Sequence, residues 1–202
     1  MKIIAVGRNY ANHAKELNNP VPKEPVIFIK PDNAILRKNE AFYYPPFSND
    51  IHYEVELFVR INKVGKNIQE KFAHKYYSEL GLAVDFTARD IQSKHKEKGL
   101  PWELAKGFDH SCPISVFKDV KDYNLTNLNF SLNINGEQVQ KGNTSNMLFS
   151  VDAIIAYVSK YFTLKKGDLI LTGTPEGVGP VKIGDKLEGF IEDEKLLNFN
   201  IK

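Results

Sequence analysis

The clearest alternation of polar and apolar residues in the chain runs over residues 52–61, with the sequence HYEVELFVRI. Alternation with β-branched and aromatic residues predicts a β-strand. Side chains two positions apart share a face of a strand, so Glu54 and Glu56, together with His52, should project to one side. Two carboxylates at that spacing repel each other, and a hard divalent cation is a common reason to hold them together. The alternative for the pair alone is the solvent face of an edge strand with ordinary surface glutamates.

Apolar runs bounded by turn residues predict the other elements of the chain. Strands are expected at residues 3–6, 26–29, 82–85, 169–171, 186–191 and 195–201, with a hairpin at residues 131–140 around Asn135-Gly136. A helix is expected at residues 72–80, with Gly81 as its stop. A second is expected at residues 88–98, with a capping box of Thr87 and Asp90 at its start and Gly99 at its end. A third is expected after Ser150, which precedes an apolar stripe (Val151, Ile154, Ile155, Val158, Phe162). The chain therefore combines many short strands with a few helices.

The segment after the first strand carries a His–Glu pair before a proline-rich stretch. Asn9 fits the N-cap of a helix of about two turns, in which His13 and Glu16 lie three residues apart on one face. The prolines of residues 18–25 then break the helix. A short helix beside such a loop is a candidate lid, about residues 9–25, that is stable when something docks against it. The alternative is a surface helix with an incidental ion pair.

Asp85 follows three apolar residues at the point where a predicted strand gives way to a helix. Such positions often carry ligand-binding residues. A carboxylate is costly to bury without a partner, and we expect that partner to be the cation held by Glu54 and Glu56. Three carboxylates suit Mg²⁺ or Mn²⁺, with Ca²⁺ left open, and argue against zinc. Lys106 fits either a surface lysine or a cation opposite these carboxylates.

Composition sets limits on location and partners. The chain has 202 residues, with 27 Lys and Arg against 25 Asp and Glu. This balance gives no support for nucleic-acid binding, which needs a concentrated basic face. Cys112 is the single cysteine, so no internal disulfide forms, and this fits a reducing compartment. The apolar run at residues 3–6 is too short for a signal peptide or a membrane span. We therefore expect one domain over residues 1–202, a cytoplasmic location and no nucleic-acid or membrane partner.

Five separated motifs span almost the whole chain in a fixed order: GRNY at residues 7–10 with His13 and Glu16, HYEVEL at 52–57, residues 85–92, LAK at 104–106, and TGTPEGVG at 172–179. Together they resemble the fumarylacetoacetate hydrolase family, particularly its short, single-domain members such as acylpyruvases and oxaloacetate decarboxylases. The resemblance implies an α+β fold of packed mixed β-sheets with a few flanking helices, the β-roll of the family's C-terminal domain, commonly as a homodimer. Larger members supply a further acidic ligand shortly before the histidine. Residues 4–12 contain no carboxylate, which favours a short member.

The resemblance also implies roles for individual residues. The metal ligands for Mg²⁺ or Mn²⁺ would be Glu54, Glu56 and Asp85, and the catalytic dyad on the lid would be His13 and Glu16. Lys106 and Gln92 would stabilise developing negative charge, and Arg8, Arg89 and Thr174 would line the substrate pocket. For His52, hydrogen bonding beside the ligands is expected rather than metal binding.

The activity implied by the resemblance is metal-dependent hydrolysis of the C–C bond of acylpyruvate-type 2,4-dioxo acids, with decarboxylation of oxaloacetate as a further activity. The substrate would be a small 2-oxo acid. Two alternatives stay open. One is an isomerase, tautomerase or decarboxylase of unsaturated 2-oxo dicarboxylates in aromatic catabolism. The other is a non-catalytic domain whose acidic cluster only binds a cation or a small molecule.

Overall fold

The computed structural model describes residues 1–16 and 20–202, so residues 17–19 of the expected lid lie outside the described residues. The strands are β1 (Ile3–Val6), β2 (Ile27–Lys30), β3 (Ile35–Leu36), β4 (Ile51–Tyr53), β5 (Val55–Ile61), β6 (Tyr77–Val84), β7 (Thr87–Ala88), β8 (Cys112–Pro113), β9 (Lys118–Asp119), β10 (Asn129–Ile134), β11 (Glu137–Asn143), β12 (Leu169–Leu171), β13 (Gly179–Pro180), β14 (Lys186–Ile191) and β15 (Glu194–Asn200). The helices are α1 (Ala11–Glu16), α2 (Glu70–Ala73), α3 (Arg89–Lys98), α4 (Glu103–Lys106) and α5 (Val151–Tyr161). The expected α+β architecture of several sheets with few helices is confirmed.

A six-stranded sheet with the order β2-β1-β12-β5-β6-β9 forms the centre of the structure. Strand β5 pairs antiparallel with β12 on one side and with β6 on the other. One of its faces, with Val55, Leu57 and Val59, packs into the larger hydrophobic cluster. The other face carries Glu56 and Phe58, which are also buried. The edge-strand alternative for the glutamate pair is therefore wrong, because β5 is a central strand covered on both faces.

A four-stranded antiparallel sheet, in the order β11-β10-β14-β15, covers the apolar face of β5. The predicted hairpin joins β10 to β11, with Asn135 and Gly136 at φ of 53° and 87°. Both central residues of a type I′ turn need positive φ, which explains the Asn-Gly pair. Two small sheets complete the strands, β13-β4-β7 and β3-β8.

Two of the predicted helices are confirmed, each with one predicted end signal. Ser150 precedes α5, and its Oγ accepts a hydrogen bond from the Ala153 N–H at 3.1 Å. Helix α3 ends at Gly99, whose φ of 63° suits a residue without a Cβ.

The helix predicted at residues 72–80 is wrong. Only α2 is helical there, and β6 begins at Tyr77. Gly81 lies in the middle of β6, opposite Phe58 of β5. A Cβ at this position would lie 2.5 Å from the Phe58 ring and 2.7 Å from Ser115 Oγ. Gly81 therefore permits close packing, and pairing with β5 overrides the local helical pattern.

The capping box predicted for α3 is also wrong, although the helix begins close to the expected place. Thr87 lies in β7, pairs with His52, and donates its hydroxyl to the Asp85 carbonyl at 3.2 Å. Asp90 accepts a hydrogen bond from Ser48 Oγ at 2.7 Å. Thr87 therefore bonds the preceding residues, and Asp90 bonds Ser48 and the Ile91 N–H of the first helical turn, so the reciprocal contacts of a capping box do not form.

Candidate metal and substrate site

The pairing of β5 with β6 brings three carboxylates together. Val55 pairs with Val84 and Glu56 with Ala83, and the Asp85 N–H donates to the Glu54 carbonyl at 2.8 Å. In this register Asp85 lies opposite Glu54 and beside Glu56 on the same face of the sheet. One ligand atom from each of Glu54, Glu56 and Asp85 lies within 4.8 Å of the others, and all three side chains are buried. We call these residues the acidic triad.

Three cationic side chains contact two members of the acidic triad. Lys106 Nζ donates to Glu54 Oε2 at 2.8 Å and to Asp85 Oδ2 at 2.7 Å. Arg89 donates to the other oxygen of Glu54 at 2.5 Å. Lys30 donates to the other oxygen of Asp85. Within the described part of the chain, Glu56 accepts only from a backbone group, the Gly173 N–H at 2.6 Å.

These contacts shift the pKa values in opposite directions. Burial alone would raise the pKa of Glu54, but Lys106, Arg89 and the nearby His13 outweigh it and hold that pKa below its usual range. Burial, followed by the charges of Asp85 and Glu54, raises the pKa of Glu56 well above its usual range. Glu56 is thus the member of the acidic triad whose negative charge is least compensated by protein groups.

The arrangement of the acidic triad fits a divalent cation. Metal–oxygen bonds of about 2.0–2.6 Å place two ligand atoms at most roughly 5 Å apart, which agrees with the observed cluster. An all-oxygen donor set suits a hard cation such as Mg²⁺, Mn²⁺ or Ca²⁺. The like-charge repulsion that raises the pKa of Glu56 is the repulsion that such a cation would relieve.

The loop after β12 supports Glu56 through its backbone. Gly173 has a φ of 91°, and a Cβ there would lie 2.8 Å from Asn9 Cβ, so glycine is needed for this close approach. The Asn9 amide donates to the Thr172 carbonyl at 2.8 Å and to the Phe149 carbonyl at 2.9 Å. The predicted N-cap role of Asn9 is therefore wrong. Helix α1 begins two residues later, at Ala11. Asn9 instead connects the segment before α1 to the loop after β12 through these hydrogen bonds.

The predicted dyad lies on α1. His13 is buried, and its Nδ1 lies 3.2 Å from Glu16 Oε2. Glu16 Oε1 accepts a hydrogen bond from the Gly177 N–H at 3.0 Å, and Asn12 donates to Glu176 at 3.2 Å. The described part of the expected lid is therefore docked on the loop after β12.

A narrow crevice leads to the acidic triad; we call it the site crevice. Six of the residues singled out from the sequence line it: Arg8, His13, Glu54, Arg89, Gln92 and Lys106. Its volume of about 10 Å³ leaves room for about one ordered water, so entry of a larger molecule requires α1 or a long side chain to move. Arg89 also donates to Gln92 Oε1 at 2.6 Å, which fixes the two side chains relative to each other.

Two other predicted residues lie near the site crevice without lining it. Thr174 is buried, and its Oγ1 accepts a hydrogen bond from Gln140 at 2.9 Å. The His52 Nε2 lies 2.9 Å from Asp50 Oδ1. Burial, followed by the nearby charge of Arg89, lowers the pKa of the His52 imidazole. His52 is not a member of the acidic cluster found within the described residues.

Sequence reasoning missed Lys30. The pattern ended the second strand before it, but β2 includes Lys30, which is completely buried. Its ammonium donates to Asp85 and to the carbonyls of Phe86 and Ser111, the latter at 3.0 Å. The sequence feature that could have identified a buried lysine is its position directly after the apolar residues of β2. The following Pro31, however, is typical of a turn, so Lys30 was assigned to the turn.

The structure is similar to the crystal structure of fumarylpyruvate hydrolase from Pseudomonas aeruginosa in complex with Mn²⁺ and pyruvate. The TM-score is 0.94 at 34% sequence identity, and the match covers 100% of this chain and 89% of that chain. The fold and about a third of the sequence are therefore shared over nearly the full length of both chains.

Curated relatives are similar over nearly the whole chain as well. The mitochondrial oxaloacetate tautomerase of Mus musculus is 46% identical over 203 residues, which covers 99% of this chain and 91% of the relative. The mitochondrial oxaloacetate decarboxylase of Dictyostelium discoideum is 50% identical over 191 residues, 93% of this chain and 87% of the relative.

Across residues 1–16 and 20–202, no helix has the length and apolar character needed to cross a bilayer. The cytoplasmic location stays a prediction, because these two relatives are named as mitochondrial.

The family model described as fumarylacetoacetate (FAA) hydrolase C-terminal matches residues 2–201. This match agrees with the full-length similarity to the curated relatives and with the shared fold. The chain belongs to the fumarylacetoacetate hydrolase family of enzymes.

Proposed function

We propose that this protein is a Mg²⁺- or Mn²⁺-dependent enzyme of small 2-oxo acids that interconverts the keto and enol forms of oxaloacetate. The observation that carries the proposal is the buried acidic triad with Lys106 beside it. The relatives named oxaloacetate tautomerase support the choice of substrate. We propose one domain over residues 1–202 that acts as a homodimer, to be checked by light scattering.

The bound cation would orient the 2-oxo acid and polarise its keto oxygen as a Lewis acid. Glu54, Glu56 and Asp85 would hold it. Lys106 has three N–H donors and uses two of them on Glu54 and Asp85. Its third donor is available to the enolate oxygen, where charge develops.

His13 is the group placed to move the proton. Glu16 accepts at Nδ1, which favours the tautomer with the proton on Nδ1 and leaves Nε2 as the base. In our proposal Nε2 takes a proton from C3 of oxaloacetate, and the His13 imidazolium formed in this way then gives that proton to the enolate oxygen. Gln92 accepts from Arg89 through its carbonyl oxygen, so its amide N–H groups remain available to the same oxygen.

The test is the rate of keto–enol interconversion of oxaloacetate, followed by enol absorbance, with Mg²⁺ or Mn²⁺ and a metal-only blank. We expect turnover well above the blank, and its loss in Glu56→Gln, because a neutral amide holds the cation poorly. Glu97→Gln on the exposed face of α3 is the matched control and should retain activity. A rate for the unmodified protein equal to the metal-only blank would contradict the proposal. Evolved CO₂ is measured in the same samples, since decarboxylation of oxaloacetate passes through a related enolate.

A second candidate is hydrolysis of the C–C bond of acylpyruvates, and the buried His13–Glu16 dyad favours it. His13 would take a proton from water, and the resulting hydroxide would attack the distal carbonyl. Lys106 and Gln92 would stabilise the oxyanion. Cleavage of the C–C bond would then release a carboxylic acid and the enolate of pyruvate, and the enolate carbon takes back the proton that His13 removed from water.

His13→Asn tests the dyad in both candidate reactions. We expect kcat to fall by roughly 10²–10⁴-fold, the usual contribution of a general base, with Mn²⁺ affinity unchanged. His74→Asn, at an exposed histidine after α2, is the control. Product analysis with acetylpyruvate and oxaloacetate identifies which reaction depends on His13. If the variant keeps full activity on both substrates, His13 is not the base.

A further inference from the structure

The charges around the site crevice are unbalanced in favour of cations. Near it lie four carboxylates, which are the acidic triad and Glu16, against five lysine and arginine side chains, which are Arg8, Lys30, Arg89, Lys96 and Lys106. Three of the cations contact the acidic triad directly. Arg8 and Lys96 have no carboxylate within 4.0 Å among the residues that the structure describes. The five cationic side chains and four carboxylates give these groups a net charge of +1, and a bound divalent cation would raise it to +3.

Helix α3 presents Lys96 to the site crevice. Arg89, Gln92 and Lys96 are spaced i, i+3 and i+7, so they share one face of the helix, and all three line the crevice. Lys94 and Lys98, on the same helix, do not line it. The sequence pattern alone made all these lysines a solvated face. All three are exposed, but Lys96 differs from the other two because it also lines the site crevice.

The surroundings of Lys96 favour an anion. Its ammonium lies 5.6 Å from the centre of the Trp102 ring. Partial burial of the group, and then the charges of Arg89 and Arg8, lower the pKa of Lys96. The Nε of Arg89 is also a buried donor with no hydrogen-bond partner among the described residues. Cations that repel one another beside an unused donor are stabilised when an anion binds between them.

We propose that Lys96, together with Arg8, binds the second carboxylate of a dicarboxylic 2-oxo acid and selects such acids over monocarboxylic ones. The proposal rests on the proposed function, in which the acidic triad and its cation bind the 2-oxo end of the substrate. A four-carbon dianion such as oxaloacetate would then be held at both ends. Acetylpyruvate, whose far end carries no charge, would leave Arg8 and Lys96 without a partner.

The test compares two unreactive acids that differ in the distal carboxylate. L-Malate and L-lactate share a 2-hydroxy acid end, and only malate has the second carboxylate. Binding of each is measured by calorimetry with Mn²⁺ present. We expect malate to bind more tightly than lactate to the unmodified protein. Lys96→Gln should weaken malate binding by about tenfold or more, the loss expected when a charged hydrogen bond is removed, and change lactate binding by less than about twofold.

Two further variants separate a binding role from a structural one. Lys96→Arg keeps the charge and should retain most of the preference for malate. Lys98→Gln removes a charge from the same helix and should leave both affinities unchanged. Equal weakening of malate and lactate in Lys96→Gln, or no weakening of either, would overturn the proposal. Neither acid reacts, so a failure of oxaloacetate turnover is seen separately from a failure of this subsite.

Discussion

Each carboxylate of the acidic triad has a different set of donors. Both oxygens of Glu54 and both oxygens of Asp85 accept from lysine or arginine side chains. Glu56 accepts from the Gly173 N–H, which is too little to offset burial and the charges of Asp85 and Glu54, so the pKa of Glu56 is raised. A cation bound by the acidic triad therefore compensates Glu56 most, which is why Glu56→Gln is the most informative substitution.

Lys30→Met tests the buried residue that the sequence analysis missed. The substitution leaves Asp85 with Lys106 alone and removes a donor from the carbonyls of Phe86 and Ser111. We expect the free energy of unfolding in urea to fall by about 3–5 kcal/mol, as for a broken buried ion pair.

The matched control for that experiment is Lys195→Met. Lys195 pairs with Glu188 at 2.8 Å, but it is 45% exposed. Solvent screens such pairs, so a loss of roughly 0–1 kcal/mol is expected. Equal losses in the two variants would show that burial of the Lys30 ion pair adds nothing to stability.

Alternation in one strand was enough to place Glu54 and Glu56 on a common face, and an apolar run before Asp85 marked it as a buried carboxylate. The cations could not be assigned in the same way. Lys30 and Lys106 are separated from Asp85 by 55 and 21 residues in sequence. Their contacts depend on how β2 and α4 pack against the central sheet, and no local pattern encodes that packing.

At the scale of elements, the register between β5 and β6 decides the site. A shift by one residue would move Glu56 to the apolar face, because successive side chains on a strand point to opposite sides. The bulge between Arg60 and Ile61 lies at the far end of β5, away from the acidic triad. The pairing is therefore regular where the carboxylates converge.

Gly81→Ala tests this register. The added Cβ would lie 2.5 Å from the Phe58 ring, and both residues are in the interior of the sheet. We expect a loss of about 1–3 kcal/mol in the free energy of unfolding, as for overpacked cores. Mn²⁺ affinity, measured by calorimetry, should also weaken, because β5 carries Glu56.

Gly99→Ala is the control for a glycine whose role is local. Gly99 has a φ of 63° with no heavy atom within 4 Å of an added Cβ, so the cost is backbone strain alone. We expect a stability loss of about 1 kcal/mol with unchanged Mn²⁺ affinity. Full Mn²⁺ affinity in Gly81→Ala would contradict the link between strand packing and the site.

Elements with strong local signals were predictable, and those set by pairing were not. The Asn-Gly hairpin, the Ser150-capped helix and the Gly99 stop depend on a few neighbouring residues. Residues 72–80 contain mixed signals, and pairing with β5 makes the last four of them part of a strand. Thr87 and Asp90 fit a capping box in sequence, but Thr87 donates to the Asp85 carbonyl, and Asp90 accepts from Ser48 and from the Ile91 N–H instead.

At the scale of the whole molecule, the fold concentrates charge that the composition conceals. The net charge of +2 is small. Yet segments from four parts of the chain place five lysine and arginine side chains around three buried carboxylates. Helix α1 closes over this site through Glu16 and Gly177. A site of this kind is suited to a small, strongly anionic molecule, which agrees with a 2-oxo dicarboxylic acid.

The central claim is that Glu54, Glu56 and Asp85 hold one divalent cation. The most direct measurement is anomalous X-ray scattering from a crystal grown with Mn²⁺. Our account predicts one strong peak at about 2.0–2.6 Å from a carboxylate oxygen of each of the three residues. A map in which these oxygens point apart, with no peak between them, would contradict it.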